Sequence, residues 1–230
     1  MMFGGHLLSL LIWLPIVGGF AVLILEDRAA RWLSLLISGV SLLLSIPLFA
    51  LFKNGTAAMQ FVERAPWIST IHSEYYIGVD GISMPLILLT TFTTVLIVIA
   101  SWSNVEKRVA QYFAAFLILE GLMIGVFAAM DGALFYVLWE AMLIPMFIII
   151  GVWGGPNRVY AAVKFFLYTM AGSVLMLVAI LSLYFTQRQF SGVPSFELAA
   201  FYAMPIAPSA PGRSWLTRAP LASATGSTRL

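Results

Sequence analysis

The sequence has no cysteine and few charged residues. Without cysteine in its 230 residues, the chain cannot form disulfides, use thiol chemistry or hold an iron–sulfur cluster through cysteine. The two histidines, His6 and His72, lie far apart, so metal-ligand spacing is absent. The net charge of +2 is too small to indicate nucleic acid as a partner. We therefore expect no metal site and no cysteine-held iron–sulfur cluster in this chain.

Apolar residues are abundant instead. The chain is 61% hydrophobic and 10% charged, whereas a soluble domain has about 25% charged residues. This composition predicts an integral membrane protein. The start of the chain lacks the basic region of a signal peptide, so we interpret the first apolar run as a retained helix. Six runs are long enough to cross a hydrocarbon core of about 30 Å: 7–25, 33–52, 82–102, 112–130, 134–153 and 161–185. They predict an all-α polytopic transmembrane bundle with six spanning helices.

The basic residues of the loops indicate an orientation. If the six runs cross in alternation, one side has Arg28, Arg31, Lys107, Arg108 and Arg158, and the other has Lys53, Arg64 and Arg188. Cytoplasmic loops are enriched in lysine and arginine, so the first set is predicted to be cytoplasmic and the N-terminus outside. The long connection 53–81 is rich in aromatic residues and is predicted to lie at the membrane surface.

Three charged side chains fall inside the apolar runs: Glu120, Glu140 and Lys164. Glu140 is the most informative, because an acid that faces lipid near mid-membrane costs at least a few kcal/mol. Pro145 follows it, and proline donates no N–H to the carbonyl of Ala141. An intramembrane acid beside a helix break is typical of proton or cation handling. The alternative is a structural hydrogen bond made by Glu140.

Glu120 and Lys164 allow other interpretations. They enter the membrane from the same face at similar depth, so they could pair and lock two helices together. Lys164 could instead extend to the surface through its aliphatic stem. Small residues predict close helix contacts at Gly18-Gly19, at Gly121 and Gly125, and at Gly172-Ser173. The threonine hydroxyls of 90–94 are expected to donate hydrogen bonds to carbonyls of their own helix. The alternative is that they form the wall of a polar channel.

Several segments together resemble one family. They are LFYVLWEAMLIPMF at 134–147, GVWGG at 151–155, YAAVKFFLYT at 160–169, LILEGLMIGV at 117–126 and YIGVDGIS at 76–83. These segments are similar to the M subunit of proton-pumping NADH:quinone oxidoreductase, respiratory complex I, with the bacterial form as the better match. The resemblance extends from the start of the chain to about residue 210.

The resemblance implies an antiporter-like fold of about fourteen helices, two of them broken. It implies proton translocation coupled to electron transfer from NADH to quinone, as one subunit of a translocase. NADH, FMN, iron–sulfur clusters and quinone would be bound by other subunits. Implied partners are the other membrane-arm subunits, the lipid bilayer and protons, and the implied location is the inner membrane of a bacterium. Glu140 matches the family's key glutamate on the fifth helix, Glu120 a glutamate on the fourth, and Lys164 the lysine that opens the sixth.

The chain departs from the family after residue 210. The segment 211–230 has three arginines, no acids and no spanning run. We predict that 1–210 is the transmembrane region and that 211–230 is a disordered, frameshifted or misassembled tail, which the downstream genomic DNA would test. Without the family's seventh helix and its lysine, Glu140 lacks its implied partner, so this fragment is not expected to pump alone.

Two rival functions remain. The first is a subunit of a multisubunit cation/proton antiporter or of a membrane-bound hydrogenase, which shares the motif around Glu140 and Pro145. Neighbouring genes would distinguish it from complex I. The second rival is a structural membrane scaffold without transport, for which the substitution Glu140→Gln would leave proton pumping unchanged.

Overall fold

The computed structural model describes residues 6–56, 58–192 and 194–204. It is mostly helical, which confirms the predicted bundle. The helices are α1 (Leu7–Val22), α2 (Asp27–Ala50), α3 (Ser83–Ala100), α4 (Val109–Ala128), α5 (Gly132–Trp153), α6 (Arg158–Ser191) and the short α7 (Leu198–Tyr202). Five of these, α2 to α6, are long and apolar enough to span a membrane. Helix α1 is equally apolar but has 16 residues, so the predicted count of six spans is approximate.

Helix α4 lies at the centre and packs against α1, α2, α3 and α5. A side chain at Gly121 would overlap the carbonyl oxygen of Ile12 in α1. A Cβ at Gly19 would lie 2.9 Å from the carbonyl oxygen of Ala114 in α4, so α1 and α4 approach through glycines on both helices. Gly125 gives similar room to Leu138 of α5. The close contacts predicted at these glycines are confirmed, because backbones can approach only where side chains are small.

The close contact predicted at Gly172-Ser173 is present at Ser173, which is buried against α5, and absent at Gly172. A Cβ at Gly172 would meet nothing within 4 Å in the described part of the chain. Gly172 lies on α6, whose surface is largely exposed. The sequence could not reveal this difference, because a glycine in an apolar helix has the same local pattern whether or not a neighbour is present.

Two apolar clusters show that successive helices run through the bundle in opposite directions. One contains residues from the start of α1 and α3 and from the end of α2 and α4, among them Leu8, Ile87 and Ile124. The other contains residues from the opposite ends of the same helices, among them Val22 and Phe113. The loops 23–26, 101–108 and 154–157 therefore lie at one end of the bundle, which we call the basic end. The predicted grouping of the basic residues into two sets follows from this alternation.

The connection 53–81 contains a β hairpin that the sequence analysis missed. Strand β1 (Gln60–Ile68) pairs antiparallel with β2 (Ser73–Val79), with Glu63 opposite Ile77. A 3-10 turn, Ser69–Ile71, joins the strands and ends at His72, which has a φ of 54°. The hairpin lies at the bundle end opposite the basic end, which we call the hairpin end. The aromatic residues of this connection predict a surface segment, but strand β1 lacks a regular alternation and its register shifts twice, so the hairpin is not evident from the sequence.

Asp131 joins the hairpin to the helices. Its Oδ1 accepts hydrogen bonds from the backbone N–H groups of Ala133 and Leu134 at 3.0 Å, which caps the start of α5. The same oxygen accepts a bond from the hydroxyl of Ser73 at 3.0 Å. Oδ2 accepts a bond from the backbone N–H of Glu74 at 3.2 Å. One buried carboxylate therefore holds α5 and β2 together.

Glu63 makes the corresponding attachment for α1. Its buried carboxylate accepts a hydrogen bond from the backbone N–H of Leu8 at 2.8 Å and from the hydroxyl of Ser9. The first N–H groups of a helix have no partner within the helix, so an acid from β1 caps them. The Ser9 hydroxyl also lies 3.1 Å from that of Tyr75, and burial raises the pKa of the Tyr75 phenol.

Candidate functional site

Glu140 lies in the middle of α5 on the side that faces α6. Its side chain is half-buried, and its Oε1 is fully buried without a hydrogen-bond partner among the described residues. Helix α5 runs through Pro145 without ending, so the carbonyl of Ala141 has no N–H donor at the usual helical position. The Oε1 of Glu140 and the carbonyl oxygen of Ala141 thus both lack an ordinary partner, and they belong to adjacent residues of α5.

Residues above and below Glu140 define its surroundings. Tyr136 precedes Glu140 by four residues on the same helical face, and its phenol interacts with both the Glu140 carboxylate and Ser173 of α6. On the other side, the ring centroids of Phe147 and Phe166 are 5.7 Å apart, which closes the α5–α6 contact. The carboxylate therefore lies between a polar contact and an aromatic one. Tyr136 and Ser173 were not predicted as site residues, although the spacing of Tyr136 could have indicated it.

Glu120 lies in α4 and is 2% exposed. Both carboxylate oxygens are buried without a hydrogen-bond partner among the described residues. The side chain lines a cavity of about 260 Å³ between α3 and α4, together with Thr90, Thr93 and Thr94. A cavity of this size has room for several water molecules, each of which occupies about 30 Å³ in the liquid. Both carboxylate oxygens of Glu120 nevertheless have almost no surface accessible to water, so the cavity lies beside the carboxylate without hydrating it directly.

The hydroxyls near Glu120 belong to a polar layer between the two apolar clusters. Ser45 and Thr91 join α2 to α3 through hydroxyls 3.0 Å apart, and the Ser41 hydroxyl is buried without a partner among the described residues. Thr90 and Thr94 donate to carbonyls of their own helix, as predicted, and Thr90 also lines the cavity. The predicted return of threonine hydroxyls to helical carbonyls is therefore confirmed, and Thr90 and Thr94 in addition border the cavity.

Lys164 is exposed on α6 and forms no ion pair in the described residues. Its Nζ lies 5.8 Å from the ring centroids of both Tyr160 and Tyr168, one turn before and one turn after it. The pairing with Glu120 that the sequence allowed is therefore absent. Depth along the membrane cannot reveal which way a helix turns its side chains, and here Lys164 turns toward aromatic rings of its own helix.

The three predicted site residues do not form one cluster. The contact of Gly125 with Leu138 aligns α4 with α5, and helical rise then places Glu120 and Glu140 within roughly 5 Å of each other in depth. They face different spaces, however, because Glu120 faces α3 and Glu140 faces α6. The structure therefore has two carboxylate sites at similar depth, with Lys164 near the second helix interface.

A bundle of apolar helices that encloses two carboxylates at mid-depth defines a polytopic membrane protein with acidic groups inside its apolar layer. Comparison with known proteins gives the particular family. Residues 10–128 match the family model for the amino terminus of NADH-ubiquinone oxidoreductase chain 4, and residues 129–212 match the model for the transmembrane part of NADH:quinone oxidoreductase and Mrp antiporters. The chain belongs to the M-subunit (chain 4) family of NADH:quinone oxidoreductase.

Individual relatives agree with this assignment. NADH-quinone oxidoreductase subunit M of Rhodobacter capsulatus is 48% identical over 186 residues, which cover 78% of this chain and 36% of the relative. NADH-ubiquinone oxidoreductase chain 4 of Marchantia polymorpha is 42% identical over 182 residues, which cover 77% of this chain and 37% of the relative. The chain thus spans well under half the length of these curated relatives.

Solved structures have the same fold. A chain of respiratory complex I from Thermus thermophilus with bound NADH is 33% identical, with a TM-score of 0.73 over 86% of this chain and 39% of that one. A chain of the Mrp complex from Dietzia sp. gives a TM-score of 0.70 at 16% identity, over 86% of this chain and 21% of that one, a likeness of fold alone. The predicted tail, 211–230, lies outside the described residues.

Proposed function

We propose that this chain is the N-terminal part of a membrane-arm subunit that takes part in proton translocation coupled to electron transfer from NADH to quinone. The observation that carries the proposal is the buried, unpartnered Oε1 of Glu140 at the α5–α6 interface. An acid with a free oxygen in a region of low dielectric constant can gain or lose a proton in response to a neighbouring charge. Glu140 would be the switching proton site.

The other two residues would modulate that switch. In this proposal, Glu120 contributes a second buried acid in its own cavity, and Lys164 contributes a positive charge on the helix that faces Glu140. Tyr136 would orient the Glu140 carboxylate through its phenol, and Ser173 of α6 would in turn hold that phenol in place. The charge of Lys164 acts over a longer distance, since electrostatic interactions weaken slowly where water is excluded.

The remaining parts of the proposal concern the complex. NADH, FMN, iron–sulfur clusters and quinone would be bound by other subunits, and other membrane-arm subunits would be the partners. The N-terminus would be outside a bacterial inner membrane, and residues 211–230 would be a tail foreign to the family. The matched relatives are longer, so pumping would require helices that the described residues do not include.

The experiment is the substitution corresponding to Glu140→Gln in the full-length subunit M of Rhodobacter capsulatus. Glutamine keeps the shape of the side chain and removes its exchangeable carboxyl proton. With NADH as the electron donor, we expect proton uptake by inverted membrane vesicles to fall about a hundredfold, the scale at which a positioned acid–base group contributes. The matched control changes the residue aligned with Glu106, an exposed acid in the loop before α4, and should retain uptake.

The same assay distinguishes the proposed function from the two rival functions, a structural scaffold and an antiporter subunit. Unchanged uptake in the glutamine variant would contradict the proposal and support a structural scaffold. Proton exchange that follows a cation gradient and ignores NADH would support the antiporter alternative, for which the likeness to the Mrp complex supplies only the fold.

A further inference from the structure

A pocket of about 700 Å³ opens at the basic end of the bundle. It is formed by two loops distant in sequence, the one before α4 and the one before α6. Its lining includes three cations, Lys107, Arg108 and Arg158, and one acid, Glu106. Because the cations converge from separate loops, their proximity is a product of the fold and could not be read from the sequence.

These cations are available to a ligand. All three side chains are exposed, and none forms an ion pair within the described residues. Arg158 donates through Nη1 to the carbonyl of Val152 at 3.1 Å, which fixes its guanidinium near the pocket while its other N–H groups remain available. The pocket thus has an excess of positive charge that the described protein does not neutralise.

The two loops are held in place. The indole N–H of Trp153, at the end of α5, donates to the carbonyl of Lys107 at 2.9 Å. Trp153 also packs edge-on against Tyr112, with ring centroids 5.2 Å apart. Both aromatic residues line the pocket. Tryptophan and tyrosine favour the headgroup layer of a bilayer, so the pocket lies at the depth of lipid headgroups.

The two helix starts at this pocket add to its preference for anions. Helix α4 begins after Arg108 and α6 begins after Asn157, and neither has a side-chain cap or an acid in its first turn. A helix N-terminus has partial positive charge and free N–H groups. These termini reinforce the three cations, which carry the argument.

We propose that this pocket binds the phosphate of an anionic phospholipid, with Lys107, Arg108 and Arg158 as the phosphate ligands and Trp153 and Tyr112 against the glycerol region. Basic pockets between transmembrane helices recognise acidic headgroups, and arginine matches phosphate geometry through paired N–H donors. Basic residues that only set membrane orientation need to lie in the right loops. Orientation does not require these residues to converge on one pocket. Here all three line the same pocket, and its two loops are fixed in place.

The experiment measures lipid binding to the full chain in detergent by native mass spectrometry. Phosphatidylglycerol is compared with phosphatidylcholine, and inorganic phosphate is added as a competitor. The pocket variant is Lys107→Gln with Arg108→Gln, whose side chains make no hydrogen bonds in the structure's described residues. We expect its affinity for phosphatidylglycerol to fall roughly ten- to thirtyfold, as for two lost cations near a membrane surface.

The matched control removes two exposed cations at the hairpin end, Lys53→Gln with Arg188→Gln, and should bind phosphatidylglycerol like the unaltered chain. A second pocket variant, Lys107→Arg with Arg108→Lys, keeps both charges and should retain the preference. Equal losses in the pocket and control variants, or no preference for phosphatidylglycerol, would overturn the proposal. Displacement of the lipid by millimolar inorganic phosphate would also overturn it, because the pocket would then be a site for a free anion. This test is independent of proton pumping, so it can fail while the proposed function holds.

Discussion

In α4, 67% of the most apolar stretch is buried, whereas in α6 the buried share is 6%. The first four helices close around Glu120, which is 2% exposed. Glu140 lies at the edge of this closed part, between α5 and an α6 whose Tyr168 is 70% exposed. The bundle therefore has a closed region, α1–α4, and an open region, α5–α6.

The difference shows that burial within the protein and residence in a membrane are separate properties. Helix α6 is as apolar as the closed helices over its spanning stretch, although only 6% of that stretch is buried. Lipid can solvate such a helix, so apolar character alone does not require a protein neighbour. The matched relatives are longer than this chain. The following predictions test the contrast, beginning with the largest effect.

The strongest test compares one glycine from each region. Gly121→Ala should destabilise the closed region by about 3 kcal/mol, because the new methyl group would overlap the Ile12 carbonyl and backbone cannot easily move away. Gly172→Ala, in open space on α6, should change stability by less than about 1 kcal/mol and in the stabilising direction, because alanine favours helix. Unfolding in mixed detergent micelles measures both. Equal losses of stability in the two variants would contradict the distinction between the closed and the open region.

A second test concerns the attachment of the open region to the hairpin. Asp131→Ala removes the cap of α5 and two bonds to β2, so we expect a loss of about 2–3 kcal/mol and faster hydrogen exchange at the start of α5. The matched change is Asp80→Ala. Asp80 accepts only local bonds, from the N–H groups of Ile82 and Ser83, so about 1 kcal/mol should be lost. Similar losses would show that the contacts of Asp131 with the hairpin contribute little.

The smallest effect is a dependence on pH within the closed region. Hydrogen bonds from Ser83, foremost its backbone N–H, hold the pKa of the Asp80 carboxyl below its usual value near 4. Its stabilising contribution is therefore complete above about pH 4 and is lost as the pH falls through the lower value of the folded state. Because Asp80 is only partly buried, we expect a few tenths of a kcal/mol. Comparing the unaltered chain with Asp80→Asn between pH 7 and pH 3 isolates this contribution. An identical decline in both would contradict it.

Local patterns predicted much of the helical fold. The apolar runs around Glu120 and Glu140 gave the helices to within a few residues, because membrane-spanning segments need continuous apolar sequence. Glycines at 19, 121 and 125 indicated close helix contacts. The hairpin was missed because its alternation is short and irregular, with register shifts in β1.

The candidate site likewise has some features that the sequence predicts and others that only the structure shows. The sequence alone determined that Glu120, Glu140 and Lys164 lie within apolar helices, since a charge within such a run is visible without any neighbour. Only the tertiary structure decided which way each side chain points: Glu120 toward the α3 cavity, Glu140 toward α6, and Lys164 toward its own tyrosines. The physical reason is that depth follows from position along one helix, whereas partners depend on how each helix is rotated against the next, and that rotation is set by packing across the whole bundle.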